Sequence, residues 1–367
     1  MQSRVGPGEG GQSGLGASRP RSGATAALTG RGPRPARLGA PSRPTPTRTR
    51  QHRPQVGTGP KGRPAPGWWC MLVVHGCLPG KVRADQAPVL EAAVPMSPST
   101  VTLQTLADLL VRVHGVQAVA LGGSRARGTA GPDSDTDLGL YLDSDTDLDQ
   151  LRVLAHQVGG PTAQLTERGQ WGPVVDGGGW LNIEDGPVDW LYRDVSRVAD
   201  SVADARAGRI TWAHQTGHPL GVPSVAYAAE VALGVPLADP DGLLADARSA
   251  VDPYPAALTG AFIAELAEAD FLLGALSKPA ARGDILFVAG TLHRALGLCA
   301  HAVCARAGRW VTNDKGLIAE AARQPGAPPG FRQLADNVLT GLAPDQLTSA
   351  VERAAELVAD VRTATAR

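Results

Sequence analysis

Aromatic residues make up only 4% of this 367-residue chain, and it has just four cysteines and three methionines. Cys70, Cys77, Cys299 and Cys304 have neither the paired spacing of a metal site nor the density of a disulfide framework, which fits a reducing cytoplasm. Near the N-terminus the longest apolar stretch is Trp68 to Val74, far short of the roughly 20 residues a membrane helix needs, so no membrane partner is expected. Acidic residues are almost missing from the start, where residues 1–67 hold twelve Lys and Arg against Glu9 alone. The whole chain balances 35 basic against 35 acidic residues, so everything after residue 67 carries 11 more acids than bases. An acidic body disfavours a nucleic-acid partner and suits a cationic substrate.

The opening stretch is rich in Gly, Pro, Arg, Ser and Thr and shows no hydrophobic periodicity, so it cannot bury enough surface to offset the entropy of ordering. Residues 1–95 are expected to form a disordered extension. An Arg-rich, acid-poor start also fits a transit peptide or a basic arm, although the amphipathic pattern of the former is missing. Met96 stands just before the first helical pattern and would serve as a start. The length predicts two further domains, and the first helical pattern after Met96 and the change to helical patterns near 208 place them at 96–207 and 208–367.

The informative stretch runs from Val116 to Leu142. An apolar run, Val116 to Leu121, stops at Gly122, Gly123 and Ser124; ten residues later Asp135 and Asp137 lead into a second apolar run, Leu138 to Leu142. Two strands flanking a Gly-rich loop are predicted. Glycines let the backbone approach a ligand, and the following hydroxyl and amides can cradle phosphate oxygens. Asp135 and Asp137, two apart at the head of a strand, point to one face and can share a hard divalent cation.

The pattern Gly123-Ser124, ten residues, Asp135-Thr-Asp137 resembles the polymerase β-like nucleotidyltransferase superfamily. Gly123 to Thr129, in the form Gly-Ser-x-Ala-Arg-Gly-Thr, is similar to small bacterial members, among them aminoglycoside and lincosamide nucleotidyltransferases and toxin–antitoxin enzymes. The resemblance implies a third carboxylate on a later strand, and Gly186-Pro-Val-Asp189 offers one; Asp176, Glu184 and Asp185 are its substitutes, and Glu184 is also a candidate general base. It covers roughly residues 100–200. The expected fold is α+β: a small mixed-sheet nucleotidyltransferase domain followed by a helical bundle domain.

Around this centre, Leu103, Leu106, Leu109, Leu110 and Val113 share the spacing of one helical face. Thr146 or Asp145 is expected to cap a helix to about Val158, with Leu148, Leu151, Val153 and Leu154 buried. Ser-Asp-Thr-Asp-Leu occurs twice, at 134–138 and 144–148; only the first copy follows the Gly-Ser loop, and the second starts a helix. Asp185-Gly186 between apolar runs predicts a hairpin, and a helix is expected from Arg193 to Ala207. Helical patterns dominate from about residue 208, near 224–233, 241–250, 256–277, 282–307, 313–323, 331–340 and 344–363.

The expected chemistry is transfer of a nucleoside monophosphate, AMP from ATP or another NTP, to a hydroxyl of a small molecule such as an aminoglycoside-like antibiotic, with pyrophosphate release. Two Mg²⁺ ions held by Asp135, Asp137 and Asp189 would serve it. Gly123 and Ser124 would hold a phosphate, Arg127 would pair with one or form a surface ion pair, and Lys315 would reach the triphosphate or stay solvated. Asn313-Asp-Lys315-Gly316 resembles an element of some bacterial nucleotidyltransferases. His214 and His218 fit a loop role better than zinc, while Trp180, Trp190 and Trp212 can stack a base or pack in the core. The alternatives are a protein adenylyltransferase of toxin–antitoxin type and a non-catalytic nucleotide-binding regulator.

Overall fold

Apolar residues at three- and four-residue spacing coil α1 (Thr100–Leu110), and an alternating run then extends as β1 (Val116–Leu121). The computed structural model describes residues 100–183 and 186–366; the expected extension over 1–95, with Cys70, Cys77 and Met96, and the candidate acids Glu184 and Asp185 lie outside the described residues. A short α2 (Gly123–Ala126) leads to β2 (Thr136–Leu142), α3 (Leu148–Gly159), β3 (Gly178–Ile183), β4 (Gly186–Asp194) and α4 (Val195–Ala207). Next come β5 (Trp212–Gln215), β6 (His218–Pro223), α5 (Ala226–Leu233) and β7 (Val235–Ala238). The remaining elements are helical: α6 (Leu243–Val251), α7 (Ala256–Ala264), α8 (Leu266–Gly274), α9 (Ser277–Ala281), α10 (Ile285–Arg306), α11 (Leu317–Ala322), α12 (Phe331–Thr340) and α13 (Leu347–Thr365).

One sheet has the order β3-β4-β2-β1-β7; β2 and β4 run parallel and the other pairs antiparallel, while β5 and β6 form a separate hairpin. The mixed sheet and the helical C-terminal region are those the sequence predicts. Period-two alternation divides the residues of β2 and β4 between the two faces. Leu138, Leu140, Leu142, Val188, Trp190 and Tyr192 sink into the core under α1 and α3. Asp137, Gly139, Tyr141, Asp189, Leu191 and Arg193 face the other way.

Local departures have local causes. The helix expected from Thr146 starts at Leu148, because Asp147 is the residue whose carboxylate accepts the Gln150 amide, at 2.9 Å. The second Ser-Asp-Thr-Asp copy is therefore turn and cap. Val153 and Leu109 are exposed, each falling just off its helix's buried stripe. Arg193 continues β4 where the sequence predicts a helix start; α4 waits for the Asp194 cap, which accepts the Arg197 amide. Beyond residue 208 the predicted helices all form, but β5, β6 and β7 precede most of them, and β7 completes the sheet beside β1. Val235 to Ala238 is too short and Pro-broken for periodicity to reveal.

The helical region packs around α10, which carries buried residues almost all round. By length and composition α10 is the one described helix apolar enough to cross a membrane; here it is the bundle's central helix, a position that also demands apolarity on every side. Cys299 and Cys304 on it are free and buried, and burial pushes both thiols up to about 12. His301, 4% exposed, stacks on Phe262 at 5.1 Å and meets Trp212 edge-on at 5.3 Å.

Burial lowers the His301 imidazole to about 4; Arg294 adds to the fall and Asp314 opposes it. The unfolded chain, with this group at 6.5, binds the extra proton first, so this contribution is complete above pH 6.5 and is lost as pH falls toward 4. We expect a loss on the order of 3 kcal/mol from this group across that window. Urea denaturation at pH 7 and pH 4.5 checks it: the pH dependence should shrink in His301→Phe, and an unchanged dependence would reject the assignment.

Candidate active site

The Asp-bearing face of the sheet opens into a cleft of about 610 Å³, within the range of small-molecule sites. The seven residues given a catalytic or nucleotide-binding role from the sequence all line it: Gly123 and Ser124 on α2, Arg127 at its C-terminal end, Asp135 and Asp137 at the head of β2, Asp189 on β4, and Lys315 before α11. Asp137 and Asp189 are direct partners in the parallel β2–β4 register, so their carboxylates share one face. The Gly122 amide donates to the Asp137 carbonyl at 2.8 Å, which seats the glycine loop on the same strand end.

Gly123 is glycine for a physical reason. Its φ is +60°, and a Cβ there would lie 1.7 Å from Asp137 Oδ2. The backbone of α2 thus rests against the carboxylate. Arg125, not singled out by the sequence, donates from Nε to the Asp135 carbonyl at 3.2 Å and also bonds the Ser134 carbonyl, clasping the loop that carries Asp135.

Burial raises the Asp137 carboxyl above its ordinary value; the charges of Asp135 and Glu230 add to the rise, and Arg193 and Arg127 counter it. Burial, then Asp137 and Asp135, push Asp189 up to about 7. Two acids held side by side repel each other, and a cation between them would relieve both.

The substitutes behave differently. Asp176 is 3% exposed, lies 2.8 Å from Arg168 Nε and 3.5 Å from Arg197, and does not line the cleft; it is a structural ion-pair partner. Arg127 donates to Thr312 Oγ1 at 3.3 Å, joining the glycine loop to the segment before α11, and lines the cleft. In that segment the Lys315 amide bonds Asn313 Oδ1 at 2.9 Å, and the exposed Lys315 side chain borders the cleft. His214 is exposed on β5; His218 lines the cleft, its Nδ1 3.6 Å from Asp314 Oδ1. Trp190 is buried, and Trp212 is pinned by Glu265 at 2.9 Å under the Arg294 guanidinium. Trp180 alone of the three reaches the cleft.

Sequence reasoning missed Arg193 and Glu230, which lie in the cleft floor as a two-pronged ion pair, with Arg193 Nη2 2.8 Å from Glu230 Oε1. The signal was present. Asp189, Leu191 and Arg193 alternate, but reading Arg193 as a helix start hid the period. With that pair cancelling, Asp133, Asp135, Asp137 and Asp189 face Arg127 and Lys315, so the cleft is net acidic and a polyphosphate needs accompanying cations to enter it.

Among the described residues, no group of three or more His, Cys, Asp or Glu side chains forms a ready metal cage. Magnesium is commonly held by one or two carboxylates with substrate phosphates completing its shell, so the Asp137–Asp189 pair has the donor chemistry for it.

Residues 103–165 match the family model of the nucleotidyltransferase domain. The resemblance to polymerase β-like nucleotidyltransferases thus holds over a segment that includes Gly123, Ser124, Asp135 and Asp137 and ends before Asp189. It supports transfer of a nucleotidyl group as the class of activity. Among solved structures, a nucleotidyltransferase-like protein from Exiguobacterium sibiricum 255-15 is similar at 11% identity and a TM-score of 0.38, over 71% of this chain and 74% of that one. No curated protein matches the chain significantly.

Proposed function

We propose that the protein moves a nucleoside monophosphate from a triphosphate, ATP in the first instance, to a hydroxyl of a small molecule. The observation that carries this reading is the register of Asp137 against Asp189 at the strand ends that meet the Gly122–Gly123 loop. Asp135, Asp137 and Asp189 would hold the divalent cations, Mg²⁺ and two in number, which supply an electrophilic α-phosphorus and neutralise the leaving pyrophosphate.

The chain's own groups do the rest. Ser124 and the Gly123 amide bind the β- or γ-phosphate, with Arg127 beside them on the glycine loop and Lys315 reaching in from the segment before α11 to hold its charge. Asp189 either joins Asp135 and Asp137 on the cation that activates the acceptor hydroxyl or itself takes that hydroxyl's proton. The acceptor oxygen bonds to the α-phosphorus, the bond from that phosphorus to the bridging oxygen breaks, and pyrophosphate leaves. The acidic cleft favours a cationic acceptor of the amino-sugar kind.

The test uses ATP, GTP, CTP and UTP labelled at the α-phosphorus, Mg²⁺ and a panel of amino-sugar and polyol acceptors, comparing wild type with Asp137→Ala. Acceptor-dependent label transfer and pyrophosphate release, lost in the variant, are expected. Tight ATP binding without pyrophosphate release would point to a binding module instead, and label on a co-expressed protein to a protein acceptor.

A further inference from the structure

An exposed tryptophan stands at the end of a row that crosses the sheet. Gly122 bonds Asp137 on β2, Asp137 pairs with Asp189 on β4, and Asp189 pairs with Trp180 on β3. Directly paired residues of neighbouring strands share a face, and strands lie about 4.8 Å apart. The cleft therefore presents in order a glycine loop, two carboxylates and an indole.

Trp180 is 49% exposed, although such a ring normally buries most of its surface. It is nevertheless held firmly. Trp171 stacks on it, with ring centroids 4.7 Å apart and planes 26° apart. The loop bearing Trp171 is tied to β5 by Gln215, which is 1% exposed: its Nε2 donates to the Trp171 carbonyl at 2.7 Å, and its Oε1 accepts the Val174 and Val175 amides at 3.1 and 3.2 Å. At Gly172, φ is +130° and a Cβ would come within 2.7 Å of that same Gln215 side chain, so the loop and its anchor fit closely. A braced aromatic surface, open on the cleft side, is a stacking platform for a ring.

Its place in the row decides which ring. In phosphoryl transfer the attacking and leaving oxygens lie roughly in line on opposite sides of the phosphorus. Resting on the function proposed above, the leaving pyrophosphate belongs to the Gly123–Ser124 side, so the acceptor enters from the side of Asp189 and Trp180. We infer that Trp180, backed by Trp171, is the platform on which a ring-bearing acceptor alcohol stacks, and that the nucleotide does not depend on it.

Saturation-transfer NMR with glucosamine, myo-inositol, tyramine and linear sorbitol tests this on the full chain, in wild type, Trp180→Ala and Trp180→Phe. Thermal melting shows that each variant folds. At least one ring probe should bind wild type in preference to sorbitol, lose roughly tenfold or more in affinity in Trp180→Ala, and recover in part in Trp180→Phe, with ATP affinity unchanged. The inference is overturned if no ring probe binds, if binding survives Trp180→Ala, or if ATP affinity falls in parallel. Ring binding that depends on Trp180 without any label transfer would sink the proposed function and leave the platform standing; transfer whose acceptor KM ignores Trp180→Ala would do the reverse.

Discussion

Asp189→Asn should lose nucleotidyl transfer by at least about a hundredfold and yet give a more stable protein at pH 8 when metal is removed. Burial and the neighbouring Asp137 and Asp135 charges hold the Asp189 carboxyl at about 7, against 3.8 when unperturbed. Between those values the folded chain binds the proton and the unfolded chain does not. Wild-type stability therefore falls as pH rises from about 4 to 7 and stays low above, where Asp189 is ionised beside its neighbours. Asparagine has no charge to confine. The variant should match wild type near pH 4 and exceed it at pH 8 by on the order of 4 kcal/mol. Urea denaturation in EDTA at the two pH values measures the difference, and added Mg²⁺ should stabilise wild type more than the variant. A variant less stable than wild type at pH 8 without metal would show that Asp189 is a structural partner and not a confined acid.

The second large effect is expected at a residue with no functional group. In Gly123→Ala the new methyl group falls 1.7 Å from Asp137 Oδ2, and the backbone stands at φ +60°, where alanine is strained. The strain alone costs about 1 kcal/mol. The carboxylate has to swing away, and a displacement of about 1 Å in a reacting constellation can cost about a hundredfold in rate. We expect transfer to fall by about that factor while melting drops only a few degrees, with ATP and Mg²⁺ affinity weakened together. Alanine at Gly128, where φ is +67° and a Cβ meets nothing within 4 Å, carries the same backbone strain without the collision. Equal losses of activity in the two variants would refute the contact with Asp137.

Both predictions act on residues that were legible before any coordinates. The loop glycines, Ser124 and Asp135 to Asp137 sit within 16 residues of one another, so a short-range pattern marks them and local strand geometry aims the two carboxylates. Asp189 was legible more weakly, through the hairpin that Asp185-Gly186 signals. Arg193, Glu230 and Trp180 were not legible as neighbours. Arg193 follows an apolar run and precedes a helical pattern, so its strand character shows only once β4 is paired to β2. Glu230 is one acid on the apolar α5, and its meaning comes from the Arg193 guanidinium across 37 residues.

By itself, the amino-acid sequence determined the helices, the strands of the glycine-and-aspartate region and one edge of the site: apolar periodicity sets which residues coil or extend, and glycine and aspartate spacing sets where a phosphate and a cation can meet. Only the tertiary structure decided that β4 lies beside β2, that β7 completes the sheet beside β1 while α5 lines the cleft, and that Trp180 stands outside Asp189. Strand order is a matter of which buried faces match across long loops, and nothing in the local spacing of residues encodes that match.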